Sequence, residues 1–142
     1  MLKKFLKIFI LVNLFFALGS HVFCQQKKYS LHINIENVLI IKGKIHIGLY
    51  SNEKNFLQTT YAKIILPVEK LSDGVSFSNL PPGEYSVTIF QDLNNNGILD
   101  KAMSLPVEPY GLSNNPSAYP TYANTKFMIK DGSLNITIGI KN

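Results

Sequence analysis

The sequence predicts an all-β protein, and three observations support that class. Apolar and polar residues alternate with a period of two in several segments, as in strands that bury one face. Turn signals rich in glycine, proline and aspartate separate these segments. No long segment has the apolar spacing of an amphipathic helix. About seven short strands in roughly 110 residues therefore predict a single antiparallel β-sandwich of the immunoglobulin-like or transthyretin-like kind.

Four segments alternate most clearly, and one side of each is expected to face the core. The expected inward residues are Leu31, Ile33, Ile45, Ile47, Leu49, Tyr85, Val87, Ile89, Ile136 and Ile138. Shorter strands are expected at 62–66, 75–77 and 125–129, and a short helical turn near 52–58. The turns between strands are predicted at Lys42-Gly43, Ser72-Asp73-Gly74, Leu80-Pro81-Pro82-Gly83 and Asp131-Gly132.

The N-terminus, residues 1–24, has the features of a secretory signal peptide. Three lysines precede an almost wholly apolar run at residues 9–18, which is too short to favour a membrane span. Val22 and Cys24 suit cleavage before Gln25. We therefore expect an exported protein, periplasmic or extracellular, whose mature domain spans residues 25–142.

Cys24 leaves a second interpretation open. A lipoprotein signal would attach lipid to this cysteine and tie the protein to the outer membrane, although Phe23 fits the preceding position poorly. An uncleaved anchor is another alternative. Cleavage after Cys24 leaves a mature domain without cysteine, which excludes disulfides, thiol nucleophiles and thiolate metal ligands.

The charge of the mature domain argues against nucleic-acid binding. Without the signal segment, 11 lysines face 9 acids, there is no arginine, and the only lysine pair is Lys27-Lys28. The remaining 118 residues are enough for one domain with its own core.

The most informative segment is residues 92–100, here called the acidic loop. Oxygen-bearing side chains stand at alternate positions, followed by Gly97 and a further carboxylate, which is the ligand pattern of a calcium loop. Met103 stands where an EF-hand places a bidentate glutamate, so the loop is not an EF-hand. The predicted ligands are Asp92, Asn94, Asn96, the carbonyl of Ile98, Asp100 and, from the next loop, Glu108.

Two arguments bear on calcium in this loop. Three nearby acids without a cation would repel each other, and a bound divalent ion would turn this net repulsion into net attraction. With two carboxylates in the loop, binding is expected to be weak, with a dissociation constant on the order of 0.1–1 mM. The alternatives are an asparagine-rich turn that needs no ion, and a Glu108 that is simply solvated.

Two histidines, His32 and His46, lie on the outward face of predicted strands. If those strands pair, the imidazoles approach each other, but no third ligand has a suitable spacing for a transition metal. The alternative is two separate surface histidines.

The segment 101–124, here called the long segment, is too long and too rich in proline and tyrosine for an ordinary connection. Such segments are often functional. It starts directly after the acidic loop, so both are expected at one end of the sandwich. Its tyrosines can stack on sugar rings or peptide side chains, or pack the segment onto the sandwich. The candidate contact residues are Tyr110, Ser113, Asn114, Tyr119 and Tyr122.

Three segments, 77–85, 92–100 and 105–115, resemble in this order the bacterial domain of unknown function 2141 family, and the resemblance covers essentially the whole mature chain. The first segment contains Leu-Pro-Pro-Gly-x-Tyr, which transthyretin-like and carboxypeptidase-regulatory-like sandwiches share. Gln91 stands where the family usually has histidine, and Pro109 where it usually has glycine. The residues that match the family pattern are Asp92, Asn94, Asn96, Gly97, Asp100, Glu108, Gly111, Ser113 and Asn114.

The resemblance implies a secreted sandwich without an established activity. We therefore expect an exported binding or structural module with a calcium-stiffened loop that meets a protein or a glycan, and not an enzyme. The alternative is a small glycan hydrolase that uses Asp92, Asp100 or Glu108 as its acid and base.

Overall fold

The computed structural model describes residues 27–71 and 73–142. The predicted signal peptide at residues 1–24, with Cys24 and the cleavage site before Gln25, lies outside these residues.

Ten strands and one short α-helix make up the described part of the chain. The strands are β1 (Tyr29–Glu36), β2 (Lys44–Tyr50), β3 (Ala62–Pro67), β4 (Val75–Leu80), β5 (Gly83–Asp92), β6 (Lys101–Ala102), β7 (Leu105–Pro106), β8 (Tyr110–Leu112), β9 (Phe127–Ile129) and β10 (Leu134–Gly139). The helix is α1 (Tyr122–Thr125), and 3-10 turns cover Glu53–Asn55 and Val68–Lys70.

Two main sheets face each other. The first has the order β10-β1-β4, and the second has the order β3-β2-β5-β8, with β9 also paired to β5. β6 and β7 form a separate hairpin. The predicted all-β class and sandwich-like layout are confirmed, and the β1–β10 pair is parallel while the other strand pairs are antiparallel.

The core lies between these two sheets and contains the residues that the alternation predicts. Nine of the ten expected inward side chains are at most 2% exposed. The tenth, Ile136, is half-buried and packs against the same core, because β10 is the edge strand of its sheet. The assigned inward faces are therefore confirmed.

Several local expectations change in the structure. The segment expected to be loop at 101–124 contains three short strands and α1, and the strand expected at 125–129 begins only at Phe127. His32 and His46 lie in different sheets, so the two imidazoles do not meet: His32 contacts Ser76 and Asn34, whereas His46 faces Asp92.

The turn before β5 is held by a buried tyrosine. The hydroxyl of Tyr85 donates to the carbonyl oxygen of Pro81 at 2.8 Å, a contact like the tyrosine corner of other sandwiches. Burial raises the pKa of Tyr85, so the hydroxyl keeps its proton and its donor role. The Leu-Pro-Pro-Gly-x-Tyr motif therefore has a structural explanation.

The C-terminal residues join the two sheets near β8. Tyr110 and Lys141 exchange two backbone hydrogen bonds, of 3.0 and 2.7 Å. Gly111 passes so close to β10 that a Cβ atom there would lie 2.8 Å from Cγ2 of Ile138. This close approach places Lys141 beside the long segment.

Candidate functional site

The long segment was expected to lie with the acidic loop at one end of the sandwich, and the structure places only its first part there. Glu108 contacts the acidic loop, whereas Tyr122 contacts Glu84 at the other end of β5. β5 ends at Asp92, the first residue of the loop, and the backbone N–H of Val107 donates to the carbonyl oxygen of Asp100 at 2.9 Å. The β6–β7 hairpin therefore rises directly from the end of the acidic loop.

Asp92 organises the first turn of this loop. Its side chain is 1% exposed, Oδ1 accepts from the backbone N–H of Asn96 at 3.1 Å, and Oδ2 accepts from that of Gly97 at 2.8 Å. Gly97 has φ +82°, and a Cβ there would meet no atom within 4 Å. The backbone angle, rather than space, therefore selects glycine at this position.

The electrostatics around Asp92 favour its charged form. Burial by itself raises the pKa of Asp92, but the backbone N–H groups of Gly97 and Asn96, together with His46, outweigh it and lower the pKa below its ordinary value of 3.8. Nε2 of His46 lies 3.3 Å from Oδ2 of Asp92, but the two atoms do not have hydrogen-bond geometry. The His46 ring stacks on Phe90 with a 4.5 Å centroid distance.

Two asparagine side chains bring Asp100 into the loop. Nδ2 of Asn94 donates to Oδ2 of Asp100 at 2.7 Å, and Nδ2 of Asn96 donates to Oδ1 at 3.0 Å. The asparagine Oδ1 atoms accept from backbone N–H groups within the loop, at 3.0 Å from Asn96 and 2.9 Å from Ile98. The predicted side-chain ligands of the loop are thus brought together.

Glu108 closes the loop from the neighbouring segment. Its Oε1 accepts from the backbone N–H of Leu93 at 2.8 Å, and its Oε2 accepts from that of Asp100 at 3.0 Å. The side chain is only 6% exposed. The alternative of a solvated glutamate is therefore wrong, because Glu108 clamps both ends of the acidic loop.

The repulsion expected among Asp92, Asp100 and Glu108 is offset within the protein. Each of the three carboxylates accepts from two N–H groups of the chain. The loop is therefore ordered by its own donors. A cation at Asp100 would compete with the two asparagine N–H groups that this carboxylate accepts from.

The donor set of the loop fits a hard cation better than a transition metal. The candidate ligands are side-chain and carbonyl oxygens, which calcium prefers. Within residues 27–71 and 73–142, no three or more His, Cys, Asp or Glu side chains are arranged to hold a metal ion. Any ion held here would depend on asparagine and carbonyl oxygens as well.

Three of the five candidate contact residues hold the long segment to the sandwich. Oγ of Ser113 accepts from the backbone N–H of Val87 at 2.9 Å and donates to the carbonyl oxygen of Thr125 at 2.6 Å. β8 and β9 pair with different stretches of β5, and the Ser113 hydroxyl bonds to β5 between those two stretches. Asn114 donates to the carbonyl oxygen of Lys126 at 3.0 Å, and Tyr122 is buried and donates to that of Glu84 at 3.1 Å.

The other two candidates, Tyr110 and Tyr119, line a groove of about 490 Å³. The groove lies between the long segment and the face of the β5–β8 pair that carries Thr88 and Phe90. Most of the groove lining was not singled out from the sequence, including Thr88, Phe90, Lys101 and Lys141. Phe90 was the available signal, because it is an aromatic residue on a face that the alternation assigns outside the core.

A family model described as an uncharacterized protein conserved in bacteria (DUF2141) matches residues 33–137. The chain belongs to the DUF2141 family. This confirms the resemblance given by the three sequence segments. No curated protein and no solved structure matches the chain.

The structure places the two departures from the DUF2141 pattern in contact with each other. The backbone N–H of Gln91 donates to the carbonyl oxygen of Pro109 at 2.8 Å. The Gln91 side chain is fully buried, and its Nε2 donates to the carbonyl oxygens of Ile40 and Lys42 at 2.6 and 2.8 Å. In this DUF2141 protein, residue 91 therefore ties the β1–β2 connection to β5.

The lowered pKa of Asp92 predicts a specific pH dependence. A carboxyl group with a lower pKa in the folded state adds stability above its unfolded pKa, here about 3.8, and loses it as the pH falls through the folded value. In chelator-treated buffer, the wild type should exceed Asp92→Asn in melting temperature at pH 7, and the gap should narrow from about pH 5 downward. His46 and Lys44, which face Asp92 from β2, stay in both proteins. A gap that stays constant to pH 3 would contradict the role given to the charge.

Proposed function

We propose that this DUF2141 protein is an exported, non-catalytic binding or structural module whose acidic loop is stiffened by a weakly bound calcium ion. Export is inferred from the signal-like residues 1–24, and the final compartment would be the periplasm or the extracellular space. Among the described residues, no helix is long and apolar enough to cross a membrane.

The observation that carries the calcium proposal is the convergence of Asn94, Asn96 and Asp100. Oxygen and nitrogen atoms of these side chains lie 2.7–3.0 Å apart around one short turn. Asp92, at the base of the same turn, is 1% exposed and has a lowered pKa, which keeps a negative charge there. Calcium binds such oxygen sets at low affinity in extracellular modules.

The same carboxylates give little support to glycan hydrolysis. That reaction needs one carboxyl group that is protonated at working pH and a second that reaches the sugar. Asp92 is buried and has a lowered pKa, and both oxygens of Glu108 accept from backbone N–H groups. This supports a binding role in which a protein or glycan partner meets the loop end.

Calcium titration of the thermal unfolding curve tests the proposal. Since only the folded state presents these oxygens together, calcium at one to ten times the dissociation constant should add about 0.4–1.4 kcal/mol to the free energy of unfolding. Millimolar calcium should therefore raise the melting temperature. Magnesium should do so less, because it holds its water shell more firmly.

Two matched variants separate the acidic loop from general charge effects. Asp100→Asn keeps the size of a partly exposed side chain but removes one loop carboxylate, and should remove most of the calcium shift. Asp131→Asn makes the same change at a side chain that is 84% exposed and distant in sequence, and should keep the shift. If the wild type shows no shift, or both variants keep it, the loop is a turn and not an ion site.

A further inference from the structure

The groove beside β8 has the form of a site for a small ligand. Its floor is the sheet face with Thr88, Phe90 and Leu112, one wall is the β6–β7 hairpin, and the other contains Tyr119 and Pro120. Its volume of about 490 Å³ falls in the usual range for small-molecule sites, roughly 300–1,000 Å³.

The charge of the groove has one sign. Lys101 and Lys141 line it, and none of the described lining residues is acidic. Nζ of Lys141 donates to the carbonyl oxygen of Pro116 at 2.7 Å and lies 5.9 Å from the centre of the Tyr110 ring. An ammonium group has three donors, so Lys141 keeps capacity for an anion while its position is held.

The rim of the groove exposes apolar side chains. Leu57 is 51% exposed, Leu105 is 68% exposed and Tyr119 is 83% exposed. Exposed apolar groups are common singly, but three around one cavity form a surface that gains free energy when it is covered. The aromatic faces of Tyr119 and Phe90 add area at low conformational cost.

We propose that this groove binds a small anionic amphiphile, a molecule with a carboxylate head and an apolar chain or ring. The carboxylate meets Lys101 and Lys141, and the apolar body lies along Phe90, Leu105 and Tyr119. An acidic sugar shares the negative charge but not the apolar body, so the lining favours the amphiphile. The inference rests on the proposed binding role of the module and names its ligand class, but it does not depend on calcium.

Fluorescence titration with 8-anilinonaphthalene-1-sulfonate, an anionic apolar probe, tests this on the folded protein in chelator-treated buffer. Decanoate should displace the bound probe. Decyltrimethylammonium, which has the same chain and the opposite charge, should not do so at equal concentration. Displacement by both, or by neither, would overturn the proposal, and displacement by glucuronate as effectively as by decanoate would replace the amphiphile with an acidic sugar.

Charge-matched variants locate the site. The double variant Lys101→Gln/Lys141→Gln should weaken decanoate binding roughly 5- to 30-fold, as expected for two partly solvated charge contacts. The control Lys63→Gln/Lys70→Gln removes two exposed lysines on and just after β3, at the opposite edge of the same sheet, and should leave binding unchanged. Equal losses in both double variants would show general attraction rather than a site.

The two proposals fail separately. Decanoate binding without any calcium shift would overturn the calcium loop and leave the groove standing. A calcium shift without decanoate binding would do the reverse. Melting curves of both double variants confirm that each protein is folded at the titration temperature.

Discussion

Replacing Ile138 with alanine should lower the free energy of unfolding by about 2–5 kcal/mol. The side chain is fully buried in the core, on the strand that pairs in parallel with β1. Alanine would remove its apolar contacts and leave a cavity that the close-packed sheets cannot fully close. Urea unfolding, followed by far-ultraviolet circular dichroism, measures the loss.

Ile65→Ala is the matched control for this prediction. It makes the same chemical change on β3, where the side chain is 45% exposed. Its cost should be clearly smaller, because less surface returns to water and no closed cavity forms. Equal costs for the two variants would contradict the assigned inward faces.

Glu108→Gln should lower the free energy of unfolding by about 2–4 kcal/mol, since hydrogen bonds to a charged group contribute about 1.5–3 kcal/mol each. The Glu108 carboxylate accepts from two backbone N–H groups, those of Leu93 and Asp100. Glutamine keeps the size of the side chain but replaces one acceptor oxygen with an NH2 group. That group cannot accept a hydrogen bond and would face a backbone N–H donor. The chain from residue 93 to residue 107 should then open more often.

Limited proteolysis together with urea unfolding checks this prediction. Cleavage within residues 93–107 should become faster in Glu108→Gln than in the wild type, both in chelator-treated buffer. Glu69→Gln, at an exposed position, should change neither the cleavage nor the stability. A Glu108→Gln protein with wild-type stability and a protected loop would show that the clamp contributes little.

The fold was largely predictable because the strands bury one face each. Period-two alternation identified all ten inward side chains, including Ile136, which is half-buried. The pairing of β1 with β10 in parallel could not be predicted, since alternation shows which face is buried but not which strand lies alongside. The short strands β6, β7 and β8 were missed because two or three residues are too few to show a period.

The sequence placed the candidate residues of the acidic loop together but did not show which contacts each of them makes, and it did not point to the groove residues Lys101 and Lys141. Spacing alone brought Asp92, Asn94, Asn96 and Asp100 into one loop. It did not reveal that both Glu108 oxygens would accept backbone N–H groups, because those donors become adjacent only after β8 returns to β5. The same holds for Ser113, whose hydroxyl takes the place of a strand partner for Val87.

The turn at Asn96-Gly97 also affects how the protein ages. Asparagine is a thermolabile residue, and before glycine it readily deamidates: the glycine nitrogen bonds to the side-chain carbon, ammonia leaves, and a succinimide ring forms. Here the Gly97 N–H donates to Asp92 at 2.8 Å, while Asp100 and the Ile98 N–H hold the Asn96 amide at 3.0 and 2.9 Å. The nitrogen is engaged and the amide is fixed by other partners, so ring closure has to wait until the turn opens. The contacts that shape the loop therefore also lengthen the chemical lifetime of its most fragile bond.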